Sequence, residues 1–208
     1  MYSAERALFE LRQGRPIWVK NKEHFQPGSS SIVAPVENLT ESYLKHLKGL
    51  SNNDLRLVIT INRAKALGIK TATNRRVDWQ AISIALDPTC DIDKLMLLAS
   101  GINQVDDLRT GEANHPEAIS LSLLRLVRLI PAVVSCRIDN NQQEAAETFS
   151  KENSILTTTT PEIISLTDPS NSIITKISEA VVPLKGSIDT KFILFRESNT
   201  LFEHLAVL

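Results

Sequence analysis

Short apolar runs alternate along residues 1–136 with stretches whose apolar positions recur at helical spacing. That alternation predicts strands and helices in turn. Residues 4–13 read as a helix with Ala7, Leu8 and Leu11 on one stripe and Gly14 as its stop. Strands follow at 16–19 and at 32–35, separated by a polar loop punctuated by Pro27-Gly28. A helix opening near Asn38 carries Tyr43, Leu44 and Leu47 and ends at Gly49. Residues 55–60 form the clearest strand, and a short helix opened by Asn62 runs to Leu67 and Gly68.

The pattern continues with a strand at 81–86 and a helix at 92–100 capped by Asp91 and stopped by Gly101. Residues 102–114 read as a polar loop. Residues 116–129 carry apolar side chains all round, which predicts a buried helix. A strand at 131–136 closes the series. One mixed sheet with helices is the expected architecture, an α/β layer.

Residues 137–179 are polar and read as a connector with a short helix at 144–149, a strand at 155–158 and a helix opened by Thr160-Pro161. Residues 180–208 are different. The run 190–196 alternates polar and apolar residues, a polar turn follows at 197–200, and 201–208 is a second apolar run at hairpin distance. These residues read as the opening of a β domain of which only a hairpin is present, and a hairpin alone is marginal in water. The expected domains are therefore 1–136, 137–179 and 180–208.

Composition narrows the function classes. The chain has 208 residues, 42% apolar and 23% charged, with a net charge of −1, so nothing steers it globally toward nucleic acid or acidic membranes. Charge is uneven: residues 1–80 hold thirteen Lys/Arg against seven Asp/Glu. One reading is a stand-alone protein that binds an anionic small molecule or RNA through Arg15, Lys20, Lys22, Arg75 and Arg76. The other is a scattered solvated surface, since no basic run exceeds Arg75-Arg76. Cys90 and Cys136 lie far apart without a metal or redox spacing, which favours a reducing compartment. No apolar run reaches the length of a membrane span, and a cytoplasmic location is expected.

Candidate chemistry is sparse. His24, His46, His115 and His204 show no zinc-type spacing, and no phosphate loop, dinucleotide fingerprint or nucleophile elbow is present. Asp91 with Asp93, and Asp106 with Asp107, are paired carboxylates that could hold a cation. A helix cap with a first-turn acid explains the first pair equally well, and solvation explains the second. Cys136 reads as an inert core thiol. No catalytic, cofactor or metal residue is assigned.

Several segments together resemble the long bacterial form of GTP cyclohydrolase II of riboflavin biosynthesis. They are residues 5–16, residues 32–40, residues 55–60 with Arg63-Ala64-Lys65-Ala66-Leu67-Gly68, and Val182-Pro183-Leu184 with Phe195-Arg196 and Glu203-His204-Leu205-Ala206. Their order spans nearly the whole chain. The resemblance implies a dihydroxybutanone phosphate synthase-like fold for the amino-terminal part and the first strands of a cyclohydrolase β domain at the end.

It also implies two activities for the parent proteins. The synthase has an acidic loop after its first strand, where carboxylates hold magnesium and a sugar phosphate. The corresponding residues 20–25 here offer the single carboxylate Glu23, and a hard dication needs several oxygen ligands. The cyclohydrolase implies zinc on three cysteines downstream of the terminal strand, hydrolysing GTP with release of formate and pyrophosphate. Those cysteines lie beyond Leu208 in the family pattern, so no cofactor is expected in this chain.

The resemblance thus suggests a non-catalytic scaffold whose partner is the catalytic cyclohydrolase domain or a second copy. A split-gene remnant without a function of its own is the remaining alternative.

Overall fold

Strands alternate their side chains between two faces, and the apolar runs of this chain use both, which calls for helices on each side of a sheet. The structure is a computed structural model that describes residues 2–22, 29–52, 54–69, 81–102, 104–105, 107–168, 170, 173–185, 190–197 and 203–208. Two units are present, Met1–Ile164 and Ser165–Leu208.

The first unit follows the order α1 (Tyr2–Arg12), β1 (Ile17–Lys20), β2 (Ser30–Pro35), α2 (Glu41–Leu50), β3 (Arg56–Thr60) and α3 (Ile61–Ala66). It continues with β4 (Ala81–Ala85), α4 (Ile92–Ser100), β5 (Thr110–Glu112), α5 (His115–Leu126) and β6 (Ala132–Ile138). Next come α6 (Gln143–Glu152), β7 (Leu156–Thr159) and α7 (Thr160–Thr167), the last of which runs past the unit boundary. The seven strands form one mixed sheet in the order β5-β4-β3-β6-β2-β1-β7. Every pairing is antiparallel except β1 with β7.

Period-two alternation sorts the core. Trp18, Ile32, Ala34, Leu57, Ile59, Ile84, Val134 and Cys136 share a cluster with Leu44 and Leu47 of α2, Leu95 and Leu98 of α4 and Ala146 of α6. Helices α1 and α5 touch one another, and α5 also packs on β1, β2, β3 and β6. As its all-round apolar sequence predicts, α5 is buried from Pro116 to Leu124.

Several boundaries differ from the sequence reading. Asn38 has φ +61 and stands outside α2, whose cap is Thr40 accepting from the Tyr43 amide; Gly49 is inside that helix. Thr60, not Asn62, caps α3. The expected 102–114 loop contains β5, an edge strand whose three residues are all exposed. Helix α5 stops at Leu126, because Arg128 adopts φ +59 and turns the chain into β6. The stretch read as a connector supplies the end of β6, α6 and β7, and β7 adds to the main sheet beside β1.

Gly14 closes α1 as expected, at φ +71, with the Asn38 carbonyl oxygen only 1.9 Å from where a Cβ would sit. Among the described residues no helix is long and apolar enough to cross a membrane.

The second unit is a three-stranded antiparallel sheet, β8 (Ile174–Val182), β9 (Thr190–Glu197) and β10 (Glu203–Val207), in the order β10-β9-β8. The expected hairpin is β9 with β10, although residues 198–202 of its turn lie outside the described residues. Strand β8 is an addition. Its pairing breaks register between Lys176 and Ser178, a bulge at Ile177 that erases simple alternation.

Candidate functional site

Two polar clusters interrupt the apolar interior of the first unit. The larger one lies at the amino end of α5. Asn114 caps the helix: its side-chain oxygen accepts from the Glu117 amide at 2.9 Å, and the Glu117 carboxylate accepts from the Asn114 amide at 2.7 Å. This reciprocal capping box satisfies two helix-end donors and points Glu117 inward.

Glu117 is fully buried, and β6 supplies its partners. Arg137 donates to the two carboxylate oxygens, Nε to Oε1 at 2.9 Å and Nη2 to Oε2 at 2.8 Å, and the Ser135 hydroxyl donates at 2.9 Å. Arg137 also donates to the Glu112 carbonyl at 2.7 Å, which ties the edge strand β5 to the middle of the sheet. The hydrogen bonds to Glu117 push the Arg137 pKa up, and burial only partly opposes them. Asn114 in turn donates to the Ser31 hydroxyl of β2 at 3.0 Å. Glu117 thus accepts four hydrogen bonds and faces a compensating charge. Such a carboxylate is committed to the fold, with no lone pair left over for a metal or a substrate proton.

The second cluster is at the exit of β1, where the family resemblance implies the acidic loop. Lys20 places its ammonium 4.0 Å from the centre of the Trp18 ring. Asn21 is buried, and its amide is used by the fold: it donates to the Ser29 hydroxyl at 3.2 Å and accepts from Thr160 at 3.1 Å. Lys22 is exposed. In the first turn of α7, Glu162 accepts from the amide and hydroxyl of Thr159, the last residue of the neighbouring strand β7, at 3.0 and 2.7 Å. Burial raises the Glu162 pKa, but the bonds from Thr159 and Ser3 outweigh it and hold the carboxyl below its ordinary value. Glu23 and His24 lie outside the described residues.

The other sequence candidates are dispersed. Asp91 caps α4, accepting from the Lys94 amide at 2.8 Å, with exposed Asp93 in the first turn. Asp107 is exposed at φ +58, and Asp106 lies outside the described residues. His46 is exposed on α2 and meets Phe149 edge-on at 6.3 Å; His115 opens α5. His204 is on β10, 3.9 Å from the Glu197 carboxylate. Both thiols are buried, and burial pushes Cys136 up to about 12 and Cys90 in the same direction. Among the described residues, no group of three or more His, Cys, Asp and Glu could hold a metal ion. The donor set of the described residues fits neither the zinc nor the magnesium that the resemblance implies.

Of the basic residues, Arg15 is paired with Glu10 at 3.3 Å just before β1, and Lys20 is at the far end of that strand. At about 3.3 Å per residue they stand roughly 17 Å apart, too far to grip one small anion. Arg75 and Arg76 lie outside the described residues. A shallow depression of about 520 Å³ on α2 is lined by Glu41, Ser42, Leu44, Lys45 and Lys48, with mixed charges from a single exposed helix.

Comparison with known proteins agrees with the fold and sharpens the parentage. No protein-family model matches the chain. Solved structures share its architecture. The two-domain 3,4-dihydroxy-2-butanone 4-phosphate synthase of A. baumannii superposes with a TM-score of 0.59 at 13% identity, covering 99% of this chain and 69% of that one. A 3,4-dihydroxy-2-butanone 4-phosphate synthase in complex with two magnesium ions gives 0.58 at 13% identity, over 80% of this chain and 97% of that one. The synthase of Candida albicans gives 0.56 at 16% identity, over 77% and 95%. The fold is that of the dihydroxybutanone phosphate synthases.

In sequence, the chain is similar to GTP cyclohydrolase-2 of Azospirillum brasilense, at 25% identity over 218 aligned positions. The match covers all of this chain and 53% of that protein, so the chain spans about half the length of the curated relative it matches. Sequence and fold similarities both support the riboflavin-biosynthesis resemblance.

Proposed function

We propose that this chain is a scaffold related to the amino-terminal part of GTP cyclohydrolase II, without synthase or cyclohydrolase activity of its own. One observation carries the reading: the exit of β1 is built as a structural clamp. Asn21 stands where the resemblance implies an acidic metal loop, and its amide is spent on Ser29 and Thr160, between two lysines at positions 20 and 22. The two lysines disfavour magnesium, the Asn21 amide is engaged by the fold, and one carboxylate at Glu23 cannot supply the ligand count a hard dication needs.

The buried carboxylate of Glu117 offers no substitute, because its oxygens are already committed to Arg137, Ser135 and the Asn114 amide. The two thiols lie in the apolar interior and are poor zinc ligands there, since a ligand must be a thiolate and burial pushes Cys136 up to about 12. What remains is a well-ordered sheet and a short β unit, which suits assembly better than chemistry. The scaffold would serve a catalytic cyclohydrolase domain, on the same or a neighbouring chain, or a copy of itself.

The test is direct. The purified chain supplied with zinc and GTP releases no formate, and supplied with magnesium and the synthase's sugar phosphate forms no product. Zinc bound at one equivalent together with formate release would overturn the proposal.

A further inference from the structure

A strand is held on a sheet by backbone bonds to its neighbour and by the apolar side chains it buries. Strand β5 has only the first. Thr110, Gly111 and Glu112 bring no large apolar side chain, and none of them belongs to the apolar core. They pair with β4 in the register Ile82↔Glu112, Ser83↔Gly111 and Ile84↔Thr110. The Ala85 amide donates to the Arg109 carbonyl at 2.8 Å, whereas the Leu86 amide donates to Leu55, just before β3, at 2.9 Å. By the alternation of an antiparallel ladder, Ser83 and Ala85 turn their amides toward β5, and Ile82 and Ile84 turn theirs toward β3. The ladder that holds β5 is short: it joins Ser83 to Gly111 and Ala85 to Arg109.

Two side chains add to it. The Glu112 carbonyl accepts from Arg137 Nη2 at 2.7 Å and from the Ser83 hydroxyl at 3.2 Å. Both donors are fixed in the sheet, Ser83 by complete burial and Arg137 by its two bonds to the buried Glu117 carboxylate. Past Glu112 the chain is tied again at Asn114, which donates to Ser31 from its side chain and to Glu117 from its amide. Every partner in this network belongs to the first unit.

A segment with few buried apolar contacts opens locally, at a fraction of the free energy of global unfolding. We propose that residues 109–113 are a strap that lifts from β4 as one unit while the rest of the sheet stays closed, with Arg137 as its latch. Lifting breaks the short ladder and the two bonds to the Glu112 carbonyl. It leaves Asn114 on the end of α5 and Glu117 on Arg137, so α5 and β6 keep their places. The strap thus switches the sheet between seven strands and six, with β4 as the new edge. The balance is set by one guanidinium that a buried acid holds in position.

Native-state hydrogen exchange on the full chain, followed by NMR in increasing urea, tests this. Strand β4 carries its own control, because alternate amides report on the two neighbours. The Ser83 and Ala85 amides, with Gly111 opposite, should exchange at a rate insensitive to low urea and faster than Ile82 and Ile84. Arg137→Lys keeps a cation beside Glu117 and gives up the fork that also reaches Glu112. It should speed Ser83, Ala85 and Gly111 by about tenfold relative to Ile82 and Ile84, the worth of one charged hydrogen bond. Ser83→Ala removes the other bond to the Glu112 carbonyl and should speed Ala85 and Gly111 in the same way. A lock gives the converse. The Cβ position of Gly111 lies 3.5 Å from the Ser83 hydroxyl, so oxidised Ser83→Cys/Gly111→Cys can cross-link the pair and should slow Ala85 to the rate of Ile84.

Ser83 and Ala85 amides with the urea dependence of Ile82 and Ile84 overturn the proposal, because β5 then leaves only when the whole sheet does. An Arg137→Lys variant that speeds none of these amides, or all of them equally, overturns it as well. So does a cross-linked variant in which Ala85 still exchanges fast.

Discussion

Arg137 grips the fully buried carboxylate of Glu117 with two nitrogens, at 2.8 and 2.9 Å, joining the end of β6 to the first turn of α5. The two partners are unequal: the Glu117 side chain has no solvent exposure, whereas Arg137 keeps 33%. Removing the arginine strands a charge in the interior, and removing the acid leaves a guanidinium that water can still reach. Arg137→Ala should therefore cost about 3–5 kcal/mol, the range for a buried charge left unpaired. Glu117→Gln keeps most of the shape and should cost less, about 1–3 kcal/mol. Urea unfolding of the two variants and the double variant gives the coupling, and equal costs for the singles would contradict the asymmetry.

That pair was only half legible in the sequence. Asn114 three residues before Glu117, with Pro116 between, is the signature of a capping box. A helix begun at Pro116 leaves out both the Asn114 cap and the inward-facing acid. Arg137 looked like the first residue of a polar stretch, because its partner is twenty residues away and no periodicity links them. The strands that went unread share a physical cause. Thr110-Gly111-Glu112 has no apolar residue and forms β5 only through its ladder to β4. Strand β8 carries a bulge that shifts its period. By contrast α4, with its Asp91 cap and Gly101 stop, was read to the residue, because all its determinants are local.

A second prediction concerns the first loop. Gly14 combines φ +71 with an Asn38 carbonyl oxygen 1.9 Å from the place of a Cβ. An alanine there meets both the left-handed backbone penalty of about 1–2 kcal/mol and a collision with main chain, which cannot rotate away. The neighbour is itself constrained: Asn38 has φ +61, and its amide donates to the Arg12 carbonyl at 3.3 Å. Gly14→Ala should lower the thermal midpoint by several degrees. Gly49→Ala is the control, since nothing lies within 4 Å of its Cβ position and the site is helical. It should be neutral or slightly stabilising.

Acid sensitivity follows from Glu162. Its carboxyl is held below the ordinary glutamate range, with the bonds from Thr159 and Ser3 outweighing burial. A carboxyl whose folded value is depressed stabilises the fold above its unfolded value, and that contribution is lost as the pH falls through the folded one. Glu162→Gln should thus lower the thermal midpoint at pH 7, and the gap to wild type should close as the pH drops below about 4. A gap that stays constant down to acid pH would show that the glutamine removes packing and not charge.

The last prediction separates the two units. The first holds the seven-stranded sheet and a buried core, whereas the second leaves Ile174, Ile177, Val181, Leu205 and Val207 exposed. A core of the first kind unfolds cooperatively by itself, and a three-stranded sheet with so little burial contributes little to that transition. Ending the chain after Thr167 keeps α7 whole and removes the exposed apolar strands. The shortened protein should unfold at a midpoint close to that of the full chain and stay soluble at higher concentration, with less light scattering on heating. A large fall in midpoint or in folded yield would mean instead that residues 168–208 help to hold the main sheet together.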